Sequence, residues 1–334
     1  MSAITLLLVL IAVALLFDFL NGFHDSANVV ATIIASRAMS ARGALALAAL
    51  ANLAGPFLLG VAVAETVGAE VVHAQAVSIS VVLAALLSAS AWNLATWYFG
   101  IPVSSSHALV GGIVGAAATG SGFSAIQASG LWKIAIALLV SPLAGFVAAL
   151  AIMQATLWLL RNATPKANVL LARTQVLTGA ALALAHGAND AQKTMGVIAM
   201  GLLALGFLPA FYVPWWVVLL SASAIALGTA VGGWRIIRTL GTRFYRIQPI
   251  HGFTSQLASA TVILGASLAG GPVSTTQVVS MSILGAGAAE RKSKVRWTVM
   301  NDIVAAWVLT LPATALLAMP IYYLIQSMLR NGGG

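Results

Sequence analysis

Residues 3–36 read AITLLLVLIAVALLFDFLNGFHDSANVVATIIAS, an apolar run with a polar motif inside it. About 20 apolar residues cross the hydrocarbon core of a bilayer, so this run predicts a membrane helix. A carboxylate within such a helix is costly unless it faces a partner, an ion or water. Asp25 therefore indicates a functional site at membrane depth.

The whole chain has the composition of a polytopic membrane protein. Of its 334 residues, 60% are hydrophobic and 7% are charged, against roughly a quarter charged in soluble domains. We predict an all-α fold with interrupted helices or re-entrant hairpins at the substrate site. The predicted segments are the apolar runs at about 3–36, 44–64, 76–99, 101–119, 132–160, 174–207, 214–233, 250–269, 272–289 and 298–328.

The positive charges predict the orientation and exclude a nucleic-acid partner. The net charge is +9, but most of the 16 Lys and Arg residues lie in short loops between apolar runs, on one side of a ten-crossing topology. Such a bias marks the cytoplasmic side, which places both termini outside. The absence of cysteine excludes disulfides and thiolate metal sites.

Two polar motifs occur twice in the same order. Pro102–Ser106 reads PVSSS and Pro272–Thr276 reads PVSTT, while Gly22–Asn28 can be aligned with Gly187–Lys193. With five crossings in each half, the second copy must be inverted, which is the pattern of a secondary transporter with a site near the midplane. We predict a first inverted repeat at 1–160, a cytoplasmic linker at 161–173 and a second repeat at 174–330.

The acidic motifs predict a cation site. On a helix, Asn21, Asp25, Asn28 and Thr32 share one face, and their oxygens suit a small hard cation. His24 is either a proton-linked group or a packing residue. The second copy contributes a carboxylate, a carboxamide and a lysine that is placed to form an ion pair with the carboxylate, namely Asp190, Asn189 and Lys193.

The hydroxyl motifs predict an anion site. A proline starts a helix well, and hydroxyls beside the free N–H groups of a helix start bind phosphate. The six hydroxyl residues are Ser104, Ser105, Ser106, Ser274, Thr275 and Thr276. A carboxylate repels an anion unless a cation lies between the two. Acidic motifs beside anion-binding helix starts therefore indicate cation-coupled anion uptake.

The four motifs together resemble those of the inorganic phosphate transporter (PiT) family, and the stretch at 226–250 is similar to its bacterial members. The resemblance implies an inverted-repeat fold, often dimeric, in the cell membrane, which imports inorganic phosphate by symport with Na⁺ or H⁺ and has no enzymatic activity or cofactor. It implies cation and substrate roles for Asp25, Asn28, Asn189 and Asp190, and phosphate contacts for the two hydroxyl turns. Supporting roles are expected for Asn21, His24, His107, Lys193, Gln256 and Gln277.

Three departures from the family pattern favour Na⁺ over H⁺. Gln277 stands where the family usually has His, Gln256 where Glu is common, and Asn52 where animal members tend to have Glu, so each position lacks a titratable group. A sulfate or metal–phosphate permease of the same architecture stays open as an alternative. A channel or intramembrane enzyme is the alternative from another class, although no Gly-x-Ser-x-Gly motif or His-Glu-x-x-His motif occurs.

Overall fold

The computed structural model describes residues 2–331, and this part of the chain is helical almost throughout. Its one β-type pairing is a single bridge between Val72 and Ile126. The predicted all-α fold is therefore confirmed. The helices are α1 Ala3–Ala35, α2 Ala41–Leu59, α3 Ala62–Ala69, α4 Ile79–Phe99, α5 Ser105–Ser121, α6 Ala128–Leu159, α7 Lys166–Ala204, α8 Trp215–Val231, α9 Trp234–Arg238, α10 Pro249–Leu268, α11 Thr275–Glu290 and α12 Trp297–Asn331.

Length and composition allow six of these helices to cross a membrane, and the bent α8–α9 pair allows a seventh crossing. The six are α1, α2, α4, α6, α7 and α12. Large apolar side chains cover much of their outer surface, among them Leu58, Leu143 and Leu177. Exposed apolar surface on helices of spanning length is typical of contact with lipid tails, so the chain is a multi-pass membrane protein.

The two longest polar-containing runs are continuous helices. α1 has 33 residues and α7 has 39, so the polar motifs of these two runs lie inside continuous helices. Their polar side chains bond to neighbouring helices, which leaves the backbone ladder intact. α7 begins at Lys166, so most of the predicted linker 161–173 is helical, because its Ala, Leu and Arg residues are good helix formers.

α1 and α7 pack antiparallel in the centre of the molecule. A methyl group added to Gly179 would meet Ile33, and one added to Gly201 would meet Leu10. As residue numbers rise along α1, the facing residue numbers therefore fall along α7. This pairing brings the acidic motifs of the two helices to the same level.

Two helical hairpins enter between these central helices from opposite ends. α4 and α5 form the first hairpin, and α10 and α11 form the second. The base of the first lies beside the C-terminal half of α7, where α3 contacts Gly196. The base of the second lies at the start of α7, where Gln175 contacts Gly252. The hairpin tips meet, because the Ser106 hydroxyl donates to the Val273 carbonyl at 2.9 Å.

The helix contacts repeat when the two halves of the chain are exchanged. α1 packs on α8 as α7 packs on α2, and α5 packs on α12 as α11 packs on α6. α4 likewise packs on α1 as α10 packs on α7. A duplicated, inverted unit produces this pairing, and it places one copy of each polar motif on either side of the centre.

Candidate functional site

The site lies where the two hairpin tips reach the middle of α1 and α7. Ser104 and Ser274 are the N-cap residues of α5 and α11, and their hydroxyls accept hydrogen bonds from the N–H groups of His107 at 3.1 Å and Gln277 at 3.3 Å. The two hairpins thus start their second helices in the same way. Pro102 precedes its N-cap and does not occupy the first helical position, and the second hairpin has the same arrangement.

The proline positions correct one detail of the sequence prediction. An N-capping side chain must accept from the first turn, so the serine after Pro-Val takes that place and its hydroxyl is used within the hairpin. The prolines instead stiffen the extended approach to each helix. The next two residues of each helix therefore face the acids.

Asp25 accepts hydrogen bonds from both hairpins. Its Oδ2 accepts from the Ser105 hydroxyl of the first hairpin at 3.2 Å. Its Oδ1 accepts from the Thr276 hydroxyl of the second at 3.1 Å and lies 2.7 Å from Nδ1 of His24. Asn28 donates to the same Thr276 hydroxyl at 3.0 Å. The fully buried Asp25 carboxylate thus joins α1 to both tips.

Asp190 occupies the equivalent place on α7. Its Oδ2 accepts from the Thr275 hydroxyl at 3.0 Å and lies 3.1 Å from Nε2 of His186. Its Oδ1 forms the predicted ion pair with Lys193. Ser105 with Asp25 and Thr275 with Asp190 are corresponding pairs of the two sequence repeats.

Lys193 connects the acid of α7 to both hairpin tips. Besides Asp190, its Nζ donates to the Ser106 hydroxyl at 2.6 Å and to the Val273 carbonyl at 2.8 Å. The ammonium group therefore uses all three of its protons. It neutralises one of the two acids, so Asp25, Asp190 and Lys193 together leave a net charge of about −1 when both histidines are neutral.

Asp25, Asp190 and His186 could hold a metal ion together. One ligand atom from each lies within 4.8 Å of the other two, and all three residues are buried. The Oδ1 of Asn28 is also buried and has no hydrogen-bond partner within residues 2–331. Two carboxylates, a carboxamide oxygen and an imidazole thus form a donor set for a cation.

His186 belongs to the second acidic motif of the sequence, but no site role was predicted for it. It lies four residues before Asp190, so the two share one face of α7, and this spacing could have identified it. Its orientation depends on another helix, because the Oδ1 of Asn52 on α2 lies 3.2 Å from Nδ1 of His186. Asn52 also donates to the Thr229 hydroxyl at 2.8 Å.

Asn189 lies in the site but its carboxamide is used by the second hairpin. It donates to the Ser267 hydroxyl at 2.8 Å and accepts from the Val273 N–H at 3.3 Å. These bonds position the tip of α10–α11 against α7. A direct cation role for Asn189 stays a prediction.

The supporting residues lie at different distances from the acids. Gln256 lies away from the acids and connects α10 to α1 and α7, because its side chain donates to the Thr32 hydroxyl and accepts from the Thr178 hydroxyl. Gln277 and His107 follow the helix starts and contribute backbone N–H groups to the caps. Asn21 is buried one turn before Asp25, and its Oδ1 has no hydrogen-bond partner within the described residues.

Comparisons with known proteins identify the family to which this sequence is similar. A family model described as the phosphate transporter family matches residues 21–318. A protein of Rhizobium meliloti described as a probable low-affinity inorganic phosphate transporter is 46% identical over 323 residues, covering 96% of this chain and 97% of that protein. A Bacillus subtilis protein with the same description is 41% identical over 330 residues, covering 98% of this chain and 99% of that protein.

A solved structure confirms the fold. It is described as the sodium-dependent phosphate transporter and superposes with a TM-score of 0.88 at 23% identity, covering 97% of this chain and 100% of that one. The family's members are transporters and not enzymes, and the resemblance drawn from the four motifs is confirmed. This protein belongs to the phosphate transporter family.

Proposed function

We propose that this protein imports inorganic phosphate across the cell membrane by symport with Na⁺. One observation carries the proposal: hydroxyls from both hairpin starts lie within 3.2 Å of the two buried carboxylates. An anion-binding element and a cation-binding element therefore share one place. The relatives described as phosphate transporters support phosphate as the substrate.

The cation would bind between the acids of α1 and α7. Asp25 and Asp190 would supply charge, and the Asn28 carboxamide and the His186 imidazole would supply neutral donors. Na⁺ fits a largely oxygen-based set of this kind. The name of the structural neighbour, a sodium-dependent transporter, supports the same ion, as do the amides at 52, 256 and 277.

Phosphate would bind at the starts of α5 and α11. The first N–H groups of a helix have no partner within it, and the helix dipole adds partial positive charge there. Ser105, Ser106, Thr275 and Thr276 surround these groups with hydroxyls. Because the site alone carries a charge of about −1, phosphate binding would be favourable only after cations have entered, which couples the two solutes.

Movement of the two hairpins would provide alternating access. Their bases lie at opposite ends of α7 and their tips meet at the site, so opening one hairpin would expose the site to one side only. The inward Na⁺ gradient would then drive import. Assembly as a homodimer stays a prediction from the family resemblance.

Phosphate uptake by proteoliposomes tests the proposal. We expect an imposed inward Na⁺ gradient at clamped voltage to accumulate labelled phosphate, and an equal pH gradient without Na⁺ to give little accumulation. Accumulation driven by the pH gradient alone would replace Na⁺ with H⁺. Flux that no cation gradient drives uphill would indicate a channel instead.

Competition separates phosphate from the alternative substrates of the same architecture. Excess sulfate should leave phosphate uptake unchanged, because the protein's relatives are described as phosphate transporters. Strong inhibition by sulfate would favour a sulfate permease, and loss of uptake on chelation of Mg²⁺ would favour carriage of a metal–phosphate complex.

A further inference from the structure

A second buried carboxylate, Asp18, takes no part in the site described above. It lies on α1 seven residues before Asp25, which is two helical turns or about 10 Å along the axis. Its side chain is fully buried, and neither of its oxygens has a hydrogen-bond partner within residues 2–331. A carboxyl group in this environment either takes up a proton or, as a carboxylate, binds a compensating cation.

The helix pairing brings two hydroxyls to this carboxylate. α1 and α7 are antiparallel, with Leu10 at Gly201 and Ile33 at Gly179, so the part of α7 near Thr194 faces Asp18. The Thr194 hydroxyl oxygen is buried at this level of α7 and has no hydrogen-bond partner within residues 2–331.

The other hydroxyl comes from α8. This helix follows α7 after a short loop and runs parallel to α1, with Gly22 packed on the Ile225 carbonyl. One turn earlier on both helices, Ser221 of α8 lies level with Asp18 of α1. The hydroxyl oxygens of Thr194 and Ser221 are buried and, like those of Asp18, have no hydrogen-bond partner in the described chain. Four buried oxygens without hydrogen-bond partners, from three helices, therefore lie at one level of the helix bundle.

We propose that Asp18, Thr194 and Ser221 form a second cation site, which binds one Na⁺ ion separately from the central site. The donors are all oxygens, which suits a hard cation. The site carries a single negative charge, which a monovalent ion neutralises and a divalent ion would exceed. Asn21, whose buried Oδ1 also has no partner in the described part of the chain, lies between the two sites on α1.

This inference extends the proposed function and rests on it for its role in transport. The Asp18 site lies toward the start of α1 and the end of α7, which the distribution of basic residues predicts to be the external side. Na⁺ bound there would also screen Asp18 from the negative charge of Asp190.

Counting bound ²²Na⁺ on the purified, detergent-solubilised protein tests the inference. The assay contains no phosphate and compares wild type with Asp18→Asn, Thr194→Val and Ser221→Ala. We expect Asp18→Asn to bind one Na⁺ fewer per chain. We expect each hydroxyl variant to weaken the affinity of one Na⁺ about tenfold, comparable to the loss of one polar contact to a charged group.

Thr314→Val is the matched control for loss of a buried hydroxyl. The Thr314 hydroxyl bonds only to backbone carbonyls of its own helix α12, so its loss should leave both the number and the affinity of bound Na⁺ unchanged. An unchanged number of bound Na⁺ ions in folded Asp18→Asn would overturn the inference. This holds even if the variant binds fewer protons than wild type, because Asp18 would then be a proton site and not a Na⁺ site. Should Asp18→Asn not fold, unchanged Na⁺ affinity in both hydroxyl variants would overturn it.

The outcome is independent of the test of phosphate import. A protein that carried another anion would still lose one Na⁺ on substitution of Asp18. Conversely, Na⁺-driven phosphate accumulation by wild type would stand even if Asp18→Asn bound the full number of ions. The two proposals can therefore fail separately.

Discussion

Replacement of Lys193 by methionine tests the charge balance of the site. Methionine keeps much of the side-chain volume but removes the ammonium group, which holds Asp190, the Ser106 hydroxyl and the Val273 carbonyl. The net charge of the site then falls from about −1 to about −2. Both hairpin tips also lose their link to α7.

The burial of the Lys193–Asp190 ion pair sets the expected loss of binding free energy. Removal of one partner from a buried ion pair costs about 3–5 kcal/mol, and each 1.4 kcal/mol is about a factor of ten in an equilibrium constant. We expect Lys193→Met to weaken phosphate binding at least about 100-fold and to destabilise the protein in Na⁺-free buffer. Added Na⁺ should recover part of the stability, because the uncompensated Asp190 attracts the cation.

The assays are phosphate uptake by proteoliposomes and unfolding in detergent with and without Na⁺. Lys133→Met is the control, because Lys133 also pairs with an acid, Glu70, at 3.0 Å, but both side chains are more than 40% exposed. Exposed pairs contribute about 0–1 kcal/mol, so this variant should resemble wild type. Equal uptake by the two lysine variants would refute the reasoning.

Three further substitutions probe the hairpin, the close packing and the orientation of the imidazole. Thr276→Val removes hydroxyl contacts to both Asp25 and Asn28 and should raise the KM for phosphate about tenfold, whereas Ser282→Ala, which loses only a bond to a backbone carbonyl, should not. Gly187→Ala places a methyl 2.5 Å from the backbone of α2 and should reduce the folded yield on gel filtration, whereas Gly265→Ala points into open space and should fold normally. Asn52→Leu removes the contact that orients the His186 ring, so the Na⁺ concentration for half-maximal uptake should rise about tenfold. An unchanged concentration would show that the imidazole is not a cation ligand.

Much of the fold could be predicted from hydrophobic patterning. Each of the ten apolar runs corresponds to a helix or helix pair, because burial in lipid demands both apolar side chains and internally bonded backbone. Asp25 and Asp190 indicate function, but their partners are on other helices, so these acids do not break the helices that carry them.

The acids of the site could be identified from sequence, whereas their partners could be identified only in part. Repetition marked Asp25 and Asp190 and the hydroxyl turns, since a polar motif that occurs twice at membrane depth is improbable. Asn189 shares that signal but contributes to the hairpin tip. Asp18 has no second copy, and the hydroxyls of α7 and α8 at its level become evident only from the register of three helices.

The central claim is that cation and phosphate bind together between the acids and the hydroxyl turns. Calorimetric titration of the purified protein with phosphate, in Na⁺ and in a large organic cation, tests it most directly. Because coupling between ligands is reciprocal and typically reaches 5–150-fold, we predict that Na⁺ tightens phosphate binding at least about tenfold in wild type and has no such effect in Asp25→Asn. Equal phosphate affinity of wild type in the two buffers, or an undiminished Na⁺ effect in Asp25→Asn, would contradict the account.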